Sequence, residues 1–449
     1  MNMRFVVIGG DAAGMSAASR AKRNAPDIDV VVLEQTQDVS YSACGMPYTI
    51  ADGRRQLDEL VVRRADVFRQ KQGIDLRTGH RVEAIDARAK QVSGTTHGGQ
   101  RFEINFDRLL IATGASPMIP DLPGAALPAV KALKSLADGK AVQAWLAERT
   151  VRRAVILGMG YIALEMCEAL RARGLAVDMI KPGPVFVPWL HPDLTAVVRQ
   201  EVEANQVRIH LGRQLQRIEP AGEEGFRVLS DGPTLECELV LLAVGVAPNS
   251  QLAEKAGLQL GPQRSIHVDK GLMTSCQDIY AAGDCADAVH VVTGRDVWIP
   301  LALRANRAGW AVADNVTGRP VELPGVAGTA VFKVFDLQVA RTGLNAYEAR
   351  EAGFDPVETV IQSRSRAHAH PGASTIHVQM VADRRTGKLL GAQMVGREGV
   401  AHRINAPAVA LHAGMTVADF IQCDLAYAPP FSPVWDPLLT AANQLSKAL

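Results

Sequence analysis

Arg4-Phe5-Val6-Val7-Ile8-Gly9-Gly10-Asp11-Ala12-Ala13-Gly14-Met15-Ser16-Ala17-Ala18 is the stretch on which the fold turns. Four consecutive apolar residues read as a strand buried on both faces, two glycines follow at once, and the Ala-rich run behind them reads as a helix. A glycine turn between strand and helix lets backbone N–H groups and the helix N-terminus approach a pyrophosphate, so the stretch predicts a dinucleotide site. Gly9 and Gly14, with Ala13 between, fit the G-x-G-x-x-G spacing. Asp11 stands where the second glycine is expected and brings a carboxylate close to the phosphates. Glu34 lies 20 residues after Gly14, at the end of a strand expected over 28–33, and is placed to accept hydrogen bonds from ribose hydroxyls.

The pattern occurs twice. Ala154-Val155-Ile156-Leu157 runs into Gly158 and Gly160, Ala163 takes the third glycine position, and a second strand is expected over 176–180. That strand ends in Lys181, where an acid would bind the ribose of NADH. A cation suits the extra phosphate of NADPH, so NADPH is favoured over NADH, with a solvated surface lysine as the competing reading. A further echo pairs 109–111 and its Ala112-Thr113-Gly114 with 240–244 and Gly245, each a strand running into glycine and a turn containing Pro117 or Pro248. The expected fold class is α/β, with two Rossmann-like dinucleotide-binding domains, one inserted in the other. Residues 279–284 form one more strand ending in Gly283-Asp284, and 301–316 a helix. Beyond Pro320, Pro324 and Gly325, strands over 329–334 and 376–381 and helices over 408–413 and 417–421 predict an α+β unit without a nucleotide fingerprint.

At 449 residues, with 47% hydrophobic and 21% charged, the chain is long enough for several domains and is neither disordered nor fibrous. Lys plus Arg is 48 against 47 for Asp plus Glu, which provides no global field for nucleic acid. No apolar run approaches the roughly 20 residues of a membrane helix, and residues 1–10 read as a first strand rather than a leader, so a cytoplasmic protein is expected. The six cysteines include no C-x-x-C pair, which argues against a disulfide framework or zinc site, and His368 and His370 lack a third ligand, so no metal is expected.

Cys44 lies in Ser40-Tyr41-Ser42-Ala43-Cys44-Gly45-Met46-Pro47-Tyr48, ten residues past Glu34. Pro47 suits the first turn of a helix, and a cysteine at a helix N-terminus has its thiolate stabilised by the dipole and free N–H groups. Cys44 is therefore expected to be a nucleophile whose thiolate persists to mildly acidic pH. Free cysteines are commonly small buried hydrophobes, and Cys285 and Cys423 are read that way. Cys44 is set apart by following the segment expected to carry the first dinucleotide's ribose.

Together with Gly283-Asp284 and the C-terminal Ala426-Tyr427-Ala428-Pro429-Pro430-Phe431, these motifs resemble the FAD-dependent pyridine nucleotide disulfide oxidoreductases over nearly the whole chain. Within them the chain is similar to the single-cysteine branch of coenzyme A disulfide reductases, persulfide reductases and NADH oxidases. The resemblance implies an FAD domain over 1–115 and 245–325, an NAD(P)H domain over 116–244 and a C-terminal dimerisation domain over 326–449. It implies that Asp284 binds the flavin ribitol and that Tyr427 reaches the partner's active site in a homodimer. Basic residues of the family can face coenzyme A phosphates, which makes Arg20, Arg23, Arg63 and Lys71, with Ser40, substrate-binding candidates; a solvated helix end is the competing reading.

Three positions depart from the family's patterns. Thr49 stands where two-cysteine members carry the second thiol, and Asp11-Ala12-Ala13 stands where NADH peroxidases and oxidases carry a His. His370 precedes Pro371-Gly372 where coenzyme A disulfide reductases show a Tyr, and takes that residue's place as a catalytic candidate. The activity implied is NAD(P)H-dependent reduction of a small disulfide or persulfide, coenzyme A disulfide first, through a mixed disulfide on Cys44. The alternatives are an NADH oxidase or peroxidase cycling through sulfenic acid, and a flavin-nucleotide redox sensor or electron-transfer protein.

Overall fold

Phe5, Val6 and Val7 have no solvent exposure at all, because their strand is the centre of a parallel sheet covered on both faces. In the computed structural model, which describes residues 3–449, Arg4–Ile8 pairs with Asp29–Glu34 on one side and Arg108–Ile111 on the other. Asp75–Thr78 and Ile279–Ala281 complete this five-stranded sheet. Met1 and Asn2, where the first-strand and first-domain expectations begin, lie outside the described residues. The helix Ala12–Asn24 buries Ala13, Gly14, Ala17, Ala18 and Ala21, and packs on the helix Ala302–Val316. The approach is close: a Cβ on Gly309 would stand 2.2 Å from the Ala13 carbonyl oxygen.

The second unit repeats the plan. Arg153–Leu157 lies between Ala176–Lys181 and Leu239–Leu242, flanked by Val207–Leu211 and Val130–Ala132, all parallel. The repeat extends beyond the glycine turns. A three-stranded antiparallel meander precedes the late strand in each unit, over His80–Asp86, Gln91–Thr96 and Arg101–Asn105, and over Leu215–Ala221, Gly225–Ser230 and Leu235–Cys237. Two chain crossings join the units, and they pair with each other as the antiparallel strands Ala115–Pro117 and Val246–Pro248. Pro117 and Pro248 were expected in turns. They sit instead in this short ladder, whose flanking bonds come from the N–H groups of Met118 (to Gly245 O, 2.9 Å) and Asn249 (to Gly114 O, 2.9 Å), so the missing proline donors cost nothing.

The C-terminal unit is a five-stranded antiparallel sheet in the order Ala330–Val334, Leu337–Gly343, Leu389–Gly396, Thr375–Asp383, Pro356–Arg364. Helices Asn405–Ala413, Val417–Ile421 and Pro437–Leu445 contribute Leu411, Phe420, Leu438 and Leu445 to its core. Only two of its strands were expected. Leu389–Gly396 is buried at every position, so it shows no alternation, and its glycines read as turn signals. The segment after the last short helix leaves Tyr427, Phe431, Val434 and Trp435 exposed. No helix among the described residues is long and apolar enough to cross a membrane.

Candidate functional site

Gly9 and Gly158 occupy equivalent points in the two units. Gly9 has φ +109° and donates to Leu33 O at 2.8 Å; Gly158 has φ +117° and donates to Ile180 O at 3.0 Å. A Cβ would stand 2.2 Å from Ala112 O in the first case and 2.1 Å from Ala243 O in the second, so any side chain would drive the late strand off the turn. Gly14 is equally constrained, since a Cβ there would meet Gly9 O at 1.9 Å, whereas Ala163 fits at its counterpart, fully buried. At Gly160 a Cβ would meet nothing within 4 Å, which leaves open space in front of the helix Tyr161–Ala172 for a pyrophosphate. Gly114, Gly245 and Gly283 all have positive φ, and Gly283 closes on Ala13.

In the first unit Asp11 replaces the open glycine. Its Oδ1 accepts from Tyr41 N at 3.2 Å, while Gly10 O accepts from Ser40 N at 3.1 Å. The segment leading to Cys44 is thereby fastened to the dinucleotide turn, with Ser40 held at φ +50°. Burial pushes the Asp11 carboxyl up to about 6, opposed by the Tyr41 amide and Lys134 and assisted by Glu34 and Asp284. Glu34 is already engaged: Oε2 accepts from Gly10 N at 2.7 Å, and Oε1 from Thr36 N and Oγ1, both at 2.8 Å.

Sequence reasoning missed Lys134. Its Nζ lies 2.7 Å from Asp284 Oδ2, which brings a cation from the second unit to the loop expected to hold the cofactor's ribitol. The signal available was the capping box Ser135–Asp138, which fixes the helix start and leaves Lys134 just outside it. Thr113 and Asn249 lock the neighbouring crossing, through Thr113 Oγ1 to Asn249 O at 2.6 Å and Asn249 Nδ2 to Thr113 O at 2.8 Å. Glycine cradles that exclude any Cβ, with Glu34 at the strand end in the first unit and an open helix N-terminus at Gly160 in the second, fit one dinucleotide in each unit.

Cys44 is the only exposed cysteine of the six. It sits in the tight turn Ala43–Gly45, followed by the helix Met46–Ala51 with Pro47 in its first turn. Met46 and Ile50 are buried in the core of the second unit, and Tyr48 Oη donates to Glu165 Oε1 at 2.7 Å. Cys44 thus stands at the junction of the two units. The expected low thiol pKa is corrected: desolvation by the surrounding protein raises it, Glu165 raises it further, and Lys134 opposes them. The following helix has only six residues, so its dipole is weak. Thr49 is fully buried and its hydroxyl has no hydrogen-bond partner among the described residues.

The remaining candidates are dispersed. Arg20 is bound to Asp314 at 2.7 Å and stacks over Trp310, and Lys22 caps Pro26 O and Ile28 O. Arg23 and Lys71 are exposed, as is Arg63, which lies over the Phe68 ring. Lys181 is half-buried, and burial lowers its pKa. Cys285 Sγ is buried against Ile111 O and Ala282 O, and Cys423 is half-buried. His267 uses the same Nδ1 toward Asp287 (2.9 Å) and Asp296 (3.7 Å), which makes an ion-pair network.

The segments that carry His370 and Tyr427 are joined in the C-terminal unit. Ala367 N donates to Pro429 O at 3.0 Å, and Arg403 ties Phe431 O, Ser365 O and Asp436 Oδ2. His370 Nδ1 lies 3.1 Å from Pro371 O. Among the described residues no hydrogen bond or ion pair connects this cluster to the Cys44 segment of the same chain.

Residues 3–309 match the family described as pyridine nucleotide-disulphide oxidoreductase, and residues 329–438 match its dimerisation domain. The chain is 39% identical over 447 residues to an NAD(P)H coenzyme A polysulfide/persulfide reductase of Pyrococcus horikoshii, covering 99% of both chains. It is 32% identical to an NADH oxidase of Methanocaldococcus jannaschii, over 100% of this chain and 99% of that one. Among solved structures it is similar to an NAD-dependent persulfide reductase from A. fulgidus, with a TM-score of 0.96, 35% identity, and coverage of 99% of this chain and 83% of that one.

Proposed function

The chain belongs to the pyridine nucleotide-disulphide oxidoreductase family, and on that premise we propose that it is an FAD-dependent NAD(P)H reductase of a low-molecular-weight disulfide or persulfide, with coenzyme A disulfide or persulfide as the first substrate class. One observation carries the reading: its only exposed cysteine is fastened through Ser40 and Tyr41 to one dinucleotide turn and through Tyr48 to the helix behind the other. A thiol so placed has access to small molecules and to both cofactor sites. FAD belongs with Gly9, Ala13, Gly14, Glu34, Ala112, Thr113, Gly114, Gly283 and Asp284, with Asp11 facing its phosphates; NAD(P)H belongs with Gly158, Gly160, Ala163, Lys181 and Gly245. When bound, FAD supplies two-electron carriage between nicotinamide and sulfur.

The rest is the work of the chain. Cys44 thiolate attacks one sulfur of the substrate; a bond from Cys44 to that sulfur forms, the substrate S–S bond breaks, and one thiolate leaves. Two electrons and a proton then cleave the mixed disulfide, returning Cys44 thiolate and releasing a second thiol. Thr49 offers no thiol, so the sulfur bonded to Cys44 comes from the substrate. A resting mixed disulfide also carries no charge, which suits a pocket where burial and Glu165 disfavour the thiolate. The exposed Tyr427–Trp435 segment and the dimerisation domain support a homodimer in which Tyr427 and His370 of one subunit serve Cys44 of its partner.

A second reading, oxygen or peroxide reduction through a sulfenic acid on Cys44, draws on the likeness to an NADH oxidase. Reductant released into the denatured enzyme distinguishes the two. A mixed disulfide yields one small thiol per Cys44, and a sulfenic acid yields none. Cys44→Ser is expected to abolish disulfide-dependent NAD(P)H oxidation while NAD(P)H still bleaches the bound flavin. Normal disulfide reductase activity in that variant would remove Cys44 from the reaction.

A further inference from the structure

Arg304 stands in the first turn of the helix Ala302–Val316 and is 8% exposed. Its guanidinium donates only to main-chain carbonyls: Nη1 to Gly283 O (3.3 Å) and Ala286 O (2.9 Å), and Nη2 to Asp287 O. No carboxylate forms an ion pair with it among the described residues. Asp284 is held by Lys134, and both oxygens of Asp287 are committed, Oδ1 to Val268 N at 3.0 Å and Oδ2 to His267 Nδ1 at 2.9 Å.

A full positive charge is therefore buried among neutral dipoles, at the helix end whose free N–H groups are already positive. No acidic residue occupies that first turn to compensate. Burial opposes the charge, with Cys285, Asp284 and Asp287 acting weakly in its favour, but an arginine does not lose its proton. Bracing these carbonyls needs donors rather than a net charge, so the charge itself is left over by the fold. The carbonyls it holds belong to the loop that presents Asp284.

We propose that Arg304 is a positioning residue of the flavin site, bracing the loop 283–287 and supplying a fixed charge that biases the bound flavin toward its reduced form. This rests on the reading of Gly283-Asp284 as the flavin's loop. Reduction of a flavin by two electrons and one proton leaves a net negative charge on the ring, and a nearby cation lowers the energy of that form relative to the oxidised one. A cation that shifts the reduction equilibrium about tenfold raises the midpoint potential by about 30 mV for a two-electron couple.

The test compares midpoint potentials of FAD-loaded wild type, Arg304→Gln and Arg304→Lys, together with FAD content and Tm. Arg304→Gln is expected to lower the reduction equilibrium constant about tenfold. Arg304→Lys keeps a charge, but a desolvated amine titrates; its potential is expected to follow wild type at low pH and to fall toward the Gln variant at high pH. A Gln variant that holds FAD at the wild-type potential would overturn the proposal, leaving Arg304 a brace alone. So would a Lys variant whose potential stays below wild type even at low pH, where its amine is charged, and that titration decides the matter if the Gln variant does not retain FAD. A wild-type chain that takes up no FAD would overturn the flavin reading itself.

Discussion

Tyr48 Oη and Glu165 Oε1, 2.7 Å apart, link the helix that follows Cys44 to the helix that opens the second dinucleotide turn. The pair holds a carboxylate beside the thiol. Burial raises the Glu165 pKa while the Tyr48 hydrogen bond opposes that, and the Cys44 thiol is pushed up by its own desolvation first and by the Glu165 charge second. In Glu165→Gln the repulsion is gone, so the thiol pKa is expected to fall and alkylation of the reduced protein by iodoacetamide at pH 7 to speed up several-fold. In wild type the alkylation rate should still be climbing above pH 9. A wild-type plateau below pH 7 would restore the low thiol pKa read from the sequence.

Asp11 is expected to make FAD retention pH-dependent. Its folded pKa of about 6 lies above the ordinary 3.8, so the native chain holds this proton more tightly than the unfolded one. The stabilising contribution is full below about 4 and is lost as pH rises through 6. Asp11→Asn, which keeps an oxygen for Tyr41 N, should raise apoprotein stability above pH 6 by on the order of 1–3 kcal/mol. Ionised Asp11 also repels a pyrophosphate, so the Kd for FAD should rise between pH 5.5 and 8 in wild type and stay flat in the variant. Parallel curves would remove Asp11 from the cofactor site.

Lys181 is half-buried, and a Cβ on Gly183 would stand 2.9 Å from its Cε, so its side chain folds back over the turn that follows its strand. Desolvation lowers its pKa, and a phosphate would offset that cost. Lys181→Glu should shift the ratio of kcat/KM for NADPH over NADH by tenfold or more toward NADH. An unchanged ratio would make Lys181 a surface residue.

The two dinucleotide units were legible because the physics that builds them is local. A strand buried on both faces, a glycine whose Cβ would strike a neighbouring carbonyl and a small-residue helix all leave marks within twenty residues, as Gly9 and Gly158 do. Lys134 left only the capping box beside it and Arg304 left nothing, because their roles depend on Asp284 and on the carbonyls of residues 283–287, which only the folded chain brings to them. The thiol of Cys44 was misjudged for the same reason. Its sequence neighbours announce a helix terminus, while the burial that raises its pKa exists only in the folded chain and Glu165, which adds to it, lies 121 residues further on. Of the three C-terminal strands that escaped, Leu389–Gly396 did so because full burial erases alternation.

The final prediction concerns subunit composition of the site. Tyr427, Phe431, Val434 and Trp435 are 48%, 75%, 66% and 61% exposed, yet their backbone is not loose: Arg403 binds Phe431 O at 2.6 Å and Asp436 Oδ2 at 2.7 Å, and Ala367 N binds Pro429 O. Apolar side chains displayed on a braced segment are arranged for a protein surface rather than for water. A second copy of the chain, docked through the dimerisation domain, would cover them and carry Tyr427 and His370 toward the partner's Cys44. Cys44→Ser and Tyr427→Phe homodimers should each be impaired in disulfide reduction. Mixed and allowed to exchange subunits, they should regain activity, because one of the two sites in each heterodimer then combines an intact Cys44 with an intact Tyr427, and a statistical mixture reaches about one quarter of wild type. A Tyr427→Phe homodimer with full activity would remove the Tyr427 hydroxyl from the reaction, and no recovery once exchange is verified by mass would mean that each site is built within a single chain.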